Sequence, residues 1–480
     1  MSKEIAKDWI DKHQKHIIEI SDRIWDLPEL GLQEFKSSTL LADELRKGGF
    51  HVQEGVAGMP TAFVATYGAG KPVIGIMGEY DALAGLSQKP IPRREPVVPG
   101  APGHGCGHNI HGTSGAAGAL AVKRVMENQK LEGTLKFFGC PAEETLVGKV
   151  FMVRDGVFDG VDAVLSHHPG QMNATRLGSS NAMNSVKFHF RGKASHAGGS
   201  PEQGRSALDA AELMDIGVNF LREHVVQEAR IHYVIEDGGG QPNVVPAYAR
   251  SWYFVRAPER QQVDRIYNWI LRIADGADLM AETSHEVEFL TGCYNTLSNV
   301  ALAELVTANM REIGAPSYDE EELAFAHAIT ETIPPAEKHD HLQRSKRPGW
   351  ERLLDVEMDT SIPDPWGIGD VSGGSTDVGD VSWNTPTIEF STATYPLGSP
   401  GHSWQNVASS RVGIGHESLI FAAKVIAAAV LDLMTKAEVL ARVRTEFEES
   451  TKNSKYVSPL LRGLKPPLNQ LPPTPPVGRQ

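Results

Sequence analysis

The sequence is short of cysteine, of positive charge and of long apolar runs. Three cysteines, Cys106, Cys140 and Cys293, in 480 residues cannot build a disulfide scaffold and suit a reducing compartment. Each thiol must therefore be explained by packing or by chemistry. Lys and Arg total 46 against 60 Asp and Glu, a net charge of -14; such a surface repels phosphate backbones and argues against nucleic-acid binding. No apolar run is expected to span a membrane. The longest, around Leu419 to Met434, is interrupted by Lys424 and Asp432 and reads as a buried helix. The N-terminus opens with Lys3, Glu4, Lys7 and Asp8 and has no apolar signal core, which predicts retention in the cytoplasm. There is no internal repeat.

What is present is an ordinary globular composition, 41% hydrophobic and 22% charged, over a length that calls for two or more domains. Residues 37–48 read as a helix with Leu40, Leu41 and Leu45 on one face. PVIGIM at 72–77, TLKFFG at 134–139 and DAVLS at 162–166 read as buried strands, with an alanine-rich helix over 109–126 between the first two. Strands alternating with helices predict an α/β fold with a mainly parallel sheet. The pattern then changes to strand 185–191, helix 205–222, strands 231–235 and 249–255, helix 261–277 and strand 286–290. That order is a small α+β unit of the split βαβ, ferredoxin-like kind, inserted at 185–291 into a larger domain formed by 1–184 and 292–435. A helix near 297–313, a polar stretch from Ala315 to Gly374, a strand at 387–391 and a long helix from about Val412 complete the larger domain. A proline-dense tail, 464–480, is expected to be extended.

Chemistry-bearing residues fall in four short clusters. Gly103-His104-Gly105-Cys106-Gly107-His108-Asn109-Ile110-His111 places four potential metal ligands at the start of a helix. Thiolate and imidazole suit zinc, and glycines let neighbouring side chains converge; a structural zinc site would use the same residues. Cys140-Pro141-Ala142-Glu143-Glu144 follows a strand, and carboxyl ends of strands are where open α/β sheets place their sites. One of the two acids could bind metal and the other serve as general base, although acids also favour the first turn of any helix. His167-His168-Pro169 follows the next strand. His402, in Gly398-Ser399-Pro400-Gly401-His402-Ser403-Trp404, lies on a loop before the last long helix.

These clusters resemble the peptidase M20 family, and within it the amidohydrolase branch that includes N-acyl-amino-acid and auxin-conjugate hydrolases. The likeness runs from about Trp25 to Met434. It includes GEYDALAGLSQ at 78–88, GHGCGHN at 103–109, GKVFMVRDGVFD at 148–159, GRSALDA at 204–210, PNVV at 242–245 and STDVGDVSW at 375–383. The resemblance implies two divalent metal ions, Zn or Mn, with Cys106 bridging them and His108, Glu144, His168 and His402 completing the ligand set; the choice of His168 over His167 rests on Pro169. It implies Glu143 as general base. His196 would reach across a dimer to the oxyanion, and Asn243 and Arg256 would hold the substrate's backbone and carboxylate. The inserted unit would be the lid and dimerisation domain of a homodimer, with a homologous second subunit as an alternative. The implied reaction is cleavage of the amide bond of an N-acyl or N-aroyl amino acid such as p-aminobenzoyl-glutamate. A dipeptidase or aminoacylase with the same centre, or a non-catalytic partner subunit, are the competing expectations. The chain departs from many members at Glu79-Tyr80-Asp81, where they carry His-x-Asp: Asp81 keeps the acid and Glu79 replaces the histidine, as the cysteine branch often does.

Overall fold

The computed structural model describes residues 2–468, so most of the proline-dense tail expected at 464–480 lies outside the described residues. Its strands, in chain order, are His51–Glu54 (β1), Phe63–Ala69 (β2), Val73–Glu79 (β3), Gly133–Cys140 (β4), Ala163–Gly170 (β5), Ala182–Arg191 (β6), Arg230–Asp237 (β7), Tyr248–Ala257 (β8), Ser284–Cys293 (β9) and Thr387–Ala393 (β10). They form a six-stranded sheet in the order β1-β2-β4-β3-β5-β10 and a four-stranded sheet in the order β7-β8-β6-β9.

In the larger sheet β4, β3, β5 and β10 run parallel, while β1 and β2 add an antiparallel edge. Its central strands are apolar throughout because both faces are covered. Ile74, Ile76, Leu135, Phe137 and Leu165 face a layer of helices that includes Ser2–Trp25, His108–Gln129, Val300–Ile313 and Gly413–Thr435. Met77, Phe138 and Val164, one step out of phase, face the short helices Gly148–Arg154 and Val378–Asn384, as the two-residue period of a strand requires. The last long helix corrects one expectation, that of length. Gly413–Thr435 is long and apolar enough to cross a membrane, but 83% of its apolar window is buried inside the protein, where it packs between Ser2–Trp25 and His108–Gln129.

In the smaller sheet all pairings are antiparallel. Two helices, Ala207–Leu221 and Arg260–Ala281, cover one face and enclose an apolar core of Val186, Phe188, Met214, Tyr253 and Ile270. This is the βαββαβ order read from the sequence.

The elements that sequence reading did not supply are peripheral to the parallel strands. The helix Ser2–Trp25 buries Ile10, Ile17, Ile20 and Ile24, an amphipathic spacing. The stretch 315–374, expected to be polar loop, contains the helices Glu320–Thr330 and Pro335–Arg344. The first opens on a reciprocal cap between Asp319 and Glu322, which satisfies otherwise orphaned amides.

Candidate metal centre

Four loops at the carboxyl ends of β3, β4, β5 and β10 meet at one end of the sheet. Gly107, at φ +71, turns the chain from Cys106 into the helix that begins at His108. A Cβ there would stand 2.3 Å from the Tyr395 hydroxyl, so only glycine fits. After β4 the chain makes one tight turn, Glu143–Thr145, flanked by Ala142 at φ +56 and Leu146 at φ +57. His402 is also held in the left-handed region, at φ +51. Non-glycine residues pay of order 1–3 kcal/mol for that conformation and keep it only where the surroundings impose it. Here it aims the acids and the imidazole into a common space.

Two triads of potential ligand atoms share one sulfur. Cys106, His108 and His168 offer atoms within 4.8 Å of one another, and so do Cys106, Glu144 and His402. His108 Nδ1 lies 2.8 Å from Asp81 Oδ1, which places the ring proton on Nδ1 and leaves Nε2 as a lone pair. The other oxygen of Asp81 accepts the amide of Glu144 at 2.9 Å. One carboxylate thus orients a member of each triad. His108 Nε2 and Glu144 Oε1 are buried without a hydrogen-bond partner. Burial, reinforced by Glu144, pushes the Cys106 thiol up. Burial likewise raises Glu144, and it raises Glu143 with Glu79 adding to the effect. A bound cation would give His108 Nε2 and Glu144 Oε1 the partner they lack and would reverse the shift of Cys106 and Glu144 toward their neutral forms. By donor chemistry the residues fit a pair of divalent ions with a thiolate between them.

The adjacent histidines separate cleanly. His168 lines the cavity, with its Nδ1 2.9 Å from Pro169 O. His167 is fully buried on the other face and both its nitrogens are engaged, by Ser114 Oγ at 2.9 Å and Thr392 Oγ1 at 2.7 Å. His104 bonds Ile24 O at 3.0 Å, and burial lowers its pKa to about 4; it is a neutral structural imidazole.

Beside the triads is a second, charged layer whose central cation, Lys149, sequence reading did not single out. Lys149 is completely buried, with Nζ 2.6 Å from Glu79 Oε1 and 2.6 Å from Asp377 Oδ1. Glu79 Oε2 lies 3.2 Å from His108 Nε2. Atoms of Glu79, His108 and Glu143 also come within 4.8 Å, as do those of Glu79, His111 and Glu389, but Lys149 already supplies positive charge at Glu79. The signals were a lysine inside the apolar run GKVFMVR and a glutamate inside the strand TIEFSTA.

The cavity over the triads, about 640 Å³, is lined by Cys106, Glu143, Glu144, His168 and His402 on one side and by Phe254 and Arg256 of β8 on the other. Arg256 Nε is buried and unpartnered, its guanidinium stacks 5.6 Å from the Phe254 ring centre, and burial lowers its pKa. No carboxylate of the described residues pairs with it. His196 and Asn243 are not in this cavity. They are exposed on the inserted unit and adjacent to each other, the amide of Ala197 donating to Asn243 O at 3.0 Å.

Comparison with known proteins gives concordant results. Residues 75–334 match the model of peptidase family M20/M25/M40. The chain is 40% identical to one of the subunits of the p-aminobenzoyl-glutamate hydrolase of Escherichia coli (strain K12), over 96% of this chain and 97% of that one. It is 27% identical to the Xaa-Arg dipeptidase of Mus musculus, over 92% and 91% of the two chains. A dinuclear metal-binding peptidase of the M20 family from Bacillus subtilis superposes with a TM-score of 0.53 at 17% identity, covering 87% of this chain and 98% of its own, a likeness of fold.

Proposed function

The chain belongs to peptidase family M20/M25/M40 and is a metal-dependent amidohydrolase, and we propose that it cleaves the amide bond of N-acyl and N-aroyl amino acids such as p-aminobenzoyl-glutamate, with Glu143 as general base. The observation that carries this reading is the sulfur of Cys106 shared by two ligand triads at the floor of a cavity whose opposite wall holds an unpaired arginine. Cys106, His108 and His168 would hold one ion, and Cys106, Glu144 and His402 the other. What two divalent cations, zinc or manganese, supply in such a pocket is Lewis acidity toward the scissile carbonyl and a water of lowered pKa.

The residues of the chain do the rest. Asp81 fixes the His108 ring and the Glu144 backbone, so both ligands are set before substrate arrives. Glu143, which lines the cavity next to Glu144 without belonging to either triad, accepts the proton of the attacking water and returns it to the leaving nitrogen. Arg256 binds the α-carboxylate of the amino acid through its unpartnered N–H groups. The tetrahedral oxyanion needs a donor, and His196 is suited to that: its Nδ1 accepts the amides of Gly198 and Gly199 at 3.2 and 2.9 Å, which leaves the proton on Nε2. Because His196 and Asn243 face away from their own cavity, we assign them to the cavity of a second copy in a homodimer. Exposed Val234 and Ile235 on the outermost strand β7, with exposed Val244 beside Asn243, give that copy an apolar edge to pair with.

The test is metal analysis of the purified chain together with rates on p-aminobenzoyl-glutamate, acetyl-amino acids and dipeptides. Glu143→Gln should keep its metal and lose about 10²–10⁴ in kcat. Near-wild-type turnover by that variant would remove Glu143 from the mechanism, and preference for dipeptides would move the assignment to a dipeptidase.

A further inference from the structure

A second cavity, about 330 Å³, opens on the metal centre from the side away from Arg256. It lies at the small end of the range for ligand pockets. It shares Cys106, His168, Arg176 and His402 with the larger cavity, so the two spaces meet where the scissile bond must lie. Its lining also includes Met172, Ala174, Trp366 and Tyr395, with the polar side chains of His341 and Ser345. His341, Ser345 and Trp366 all come from the stretch 315–374, to which the sequence alone assigns no role.

We propose that this cavity is the acyl subsite, built to take a flat aromatic acyl group that carries a hydrogen-bond donor, with Trp366 as its stacking wall and His341 as the acceptor. The inference rests on the amidohydrolase reading above and deepens it. An amide over the metal centre sends its two halves in opposite directions. The amino-acid half carries the anion and belongs with Arg256; the acyl half is left to the second cavity.

The construction of the cavity supports an aromatic occupant. Trp366 is 8% exposed and its indole N–H is spent on Ser345 O at 3.0 Å, so the ring offers an apolar face and no donor. Its position is locked by the apolar cluster of Met172, Leu342, Leu353 and Leu397. A rigid aromatic wall binds a planar ring at low entropic cost. Two of the residues that line this space also carry a buried polar atom without a partner, Tyr395 Oη and Asn406 Oδ1. His341 makes no side-chain hydrogen bond within the described residues. Burial, with the nearby guanidinium groups of Arg344 and Arg176, lowers its pKa, and a neutral imidazole has one nitrogen free to accept from an aryl amine.

The experiment compares kcat/KM for p-aminobenzoyl-glutamate with kcat/KM for N-acetyl-glutamate in wild type, Trp366→Ala, Trp366→Leu and His341→Leu. Both Trp366 variants should lose about 10- to 100-fold on the aroyl substrate, as loss of a buried aromatic anchor does, and less than threefold on the acetyl substrate. His341→Leu should lose selectivity for the amino-substituted ring over plain benzoyl-glutamate. Equal losses on both substrates, or none, would overturn the assignment. Trp366→Leu keeps an apolar side chain in the cluster and serves if the alanine variant does not fold. Calorimetric titration with 4-aminobenzoate separates this inference from the reaction assignment. If wild type hydrolyses neither substrate but binds 4-aminobenzoate at least tenfold tighter than Trp366→Leu does, the subsite stands and the reaction does not. If binding is absent or unchanged, the subsite falls.

Discussion

Replacing Lys149 by methionine keeps an unbranched side chain one atom shorter and removes its charge from a place with no water. The wild-type ammonium is 2.6 Å from Glu79 Oε1 and 2.6 Å from Asp377 Oδ1, and all three side chains are fully buried. The Lys149 amide also donates to Asp377 Oδ2 at 2.7 Å, so Asp377 keeps one partner, while Glu79 keeps only His111 Nε2, at 3.4 Å, because His108 presents a lone pair to it. Removing one member of a buried ion pair costs about 3–5 kcal/mol, because the charge left behind has lost both water and its partner. Lys149→Met should therefore lower the free energy of unfolding by that amount, read as a shift of the urea midpoint at unchanged slope. The double variant Lys149→Met, Glu79→Gln removes one stranded charge along with the lysine, and it should recover part of the loss. The cycle should give a coupling of about 1–3 kcal/mol. A loss below about 1 kcal/mol in the single variant, or additivity within about 0.5 kcal/mol in the cycle, would refute the account in which Lys149 is the cation that holds this layer together.

Asp81→Asn leaves every assigned ligand in place but weakens the orienting bond to His108; metal affinity, measured by chelator competition, should fall about 10- to 100-fold, and an unchanged affinity would mean that His108 is positioned by packing alone. Asp215, in the helix Ala207–Leu221, accepts the Tyr253 hydroxyl, and burial pushes its pKa up to about 6 from an ordinary 3.8. The folded state then holds this proton more tightly than the unfolded chain does, so stability is lost as pH rises from about 4 to about 6, and the loss is complete above that. Asp215→Asn should raise Tm at pH 8 by roughly twice the gain at pH 5; an equal gain at both, by scanning calorimetry, would show that burial of the charge is not the cause.

Much of the site was legible because its chemistry sits in short local motifs. Cys106 and His108 lie two residues apart on one glycine turn, and Glu143 and Glu144 are neighbours. The first pair opens an alanine-rich helix, and the second follows an apolar run whose end can be read from composition. What is local in sequence is also local in space, so the motifs could be placed at strand ends without knowing the strand order. The Lys149 layer is different. Its partners are 228 residues away at Asp377 and, across the sheet, at Glu79, and no periodicity connects them. The stretch 315–374 was illegible for another reason. Its helices are short and one bears the charged run Glu320-Glu321-Glu322, so they show a cap but little apolar stripe. Their few buried side chains find partners remote in sequence, Leu342 with Met172 and Leu397, and Ala326 with Ala393 and Ile414.

The sequence criterion for choosing between the two adjacent histidines was an incidental one. Pro169 beside His168 was the sequence criterion, but the proline does not decide which ring meets the cavity. Strand period does. β5 runs parallel to β10 with His167 opposite Phe390 and His168 opposite Ser391, and successive side chains of a strand point to opposite faces. Phe390 belongs to the apolar layer beneath the helices, its ring 5.2 Å from that of His167, so His167 must go inward with it and find its hydrogen bonds there. His168 is then carried to the side where Cys106 and His402 stand. A one-residue slip of β5 against β10 would exchange the two rings, putting His168 among hydroxyls and His167 at the cavity. Which of the two histidines meets the cavity thus depends on the register of two strands more than two hundred residues apart, and that register is set by the alternation of Val164, Leu165 and Ile388 between the two apolar layers that enclose the sheet.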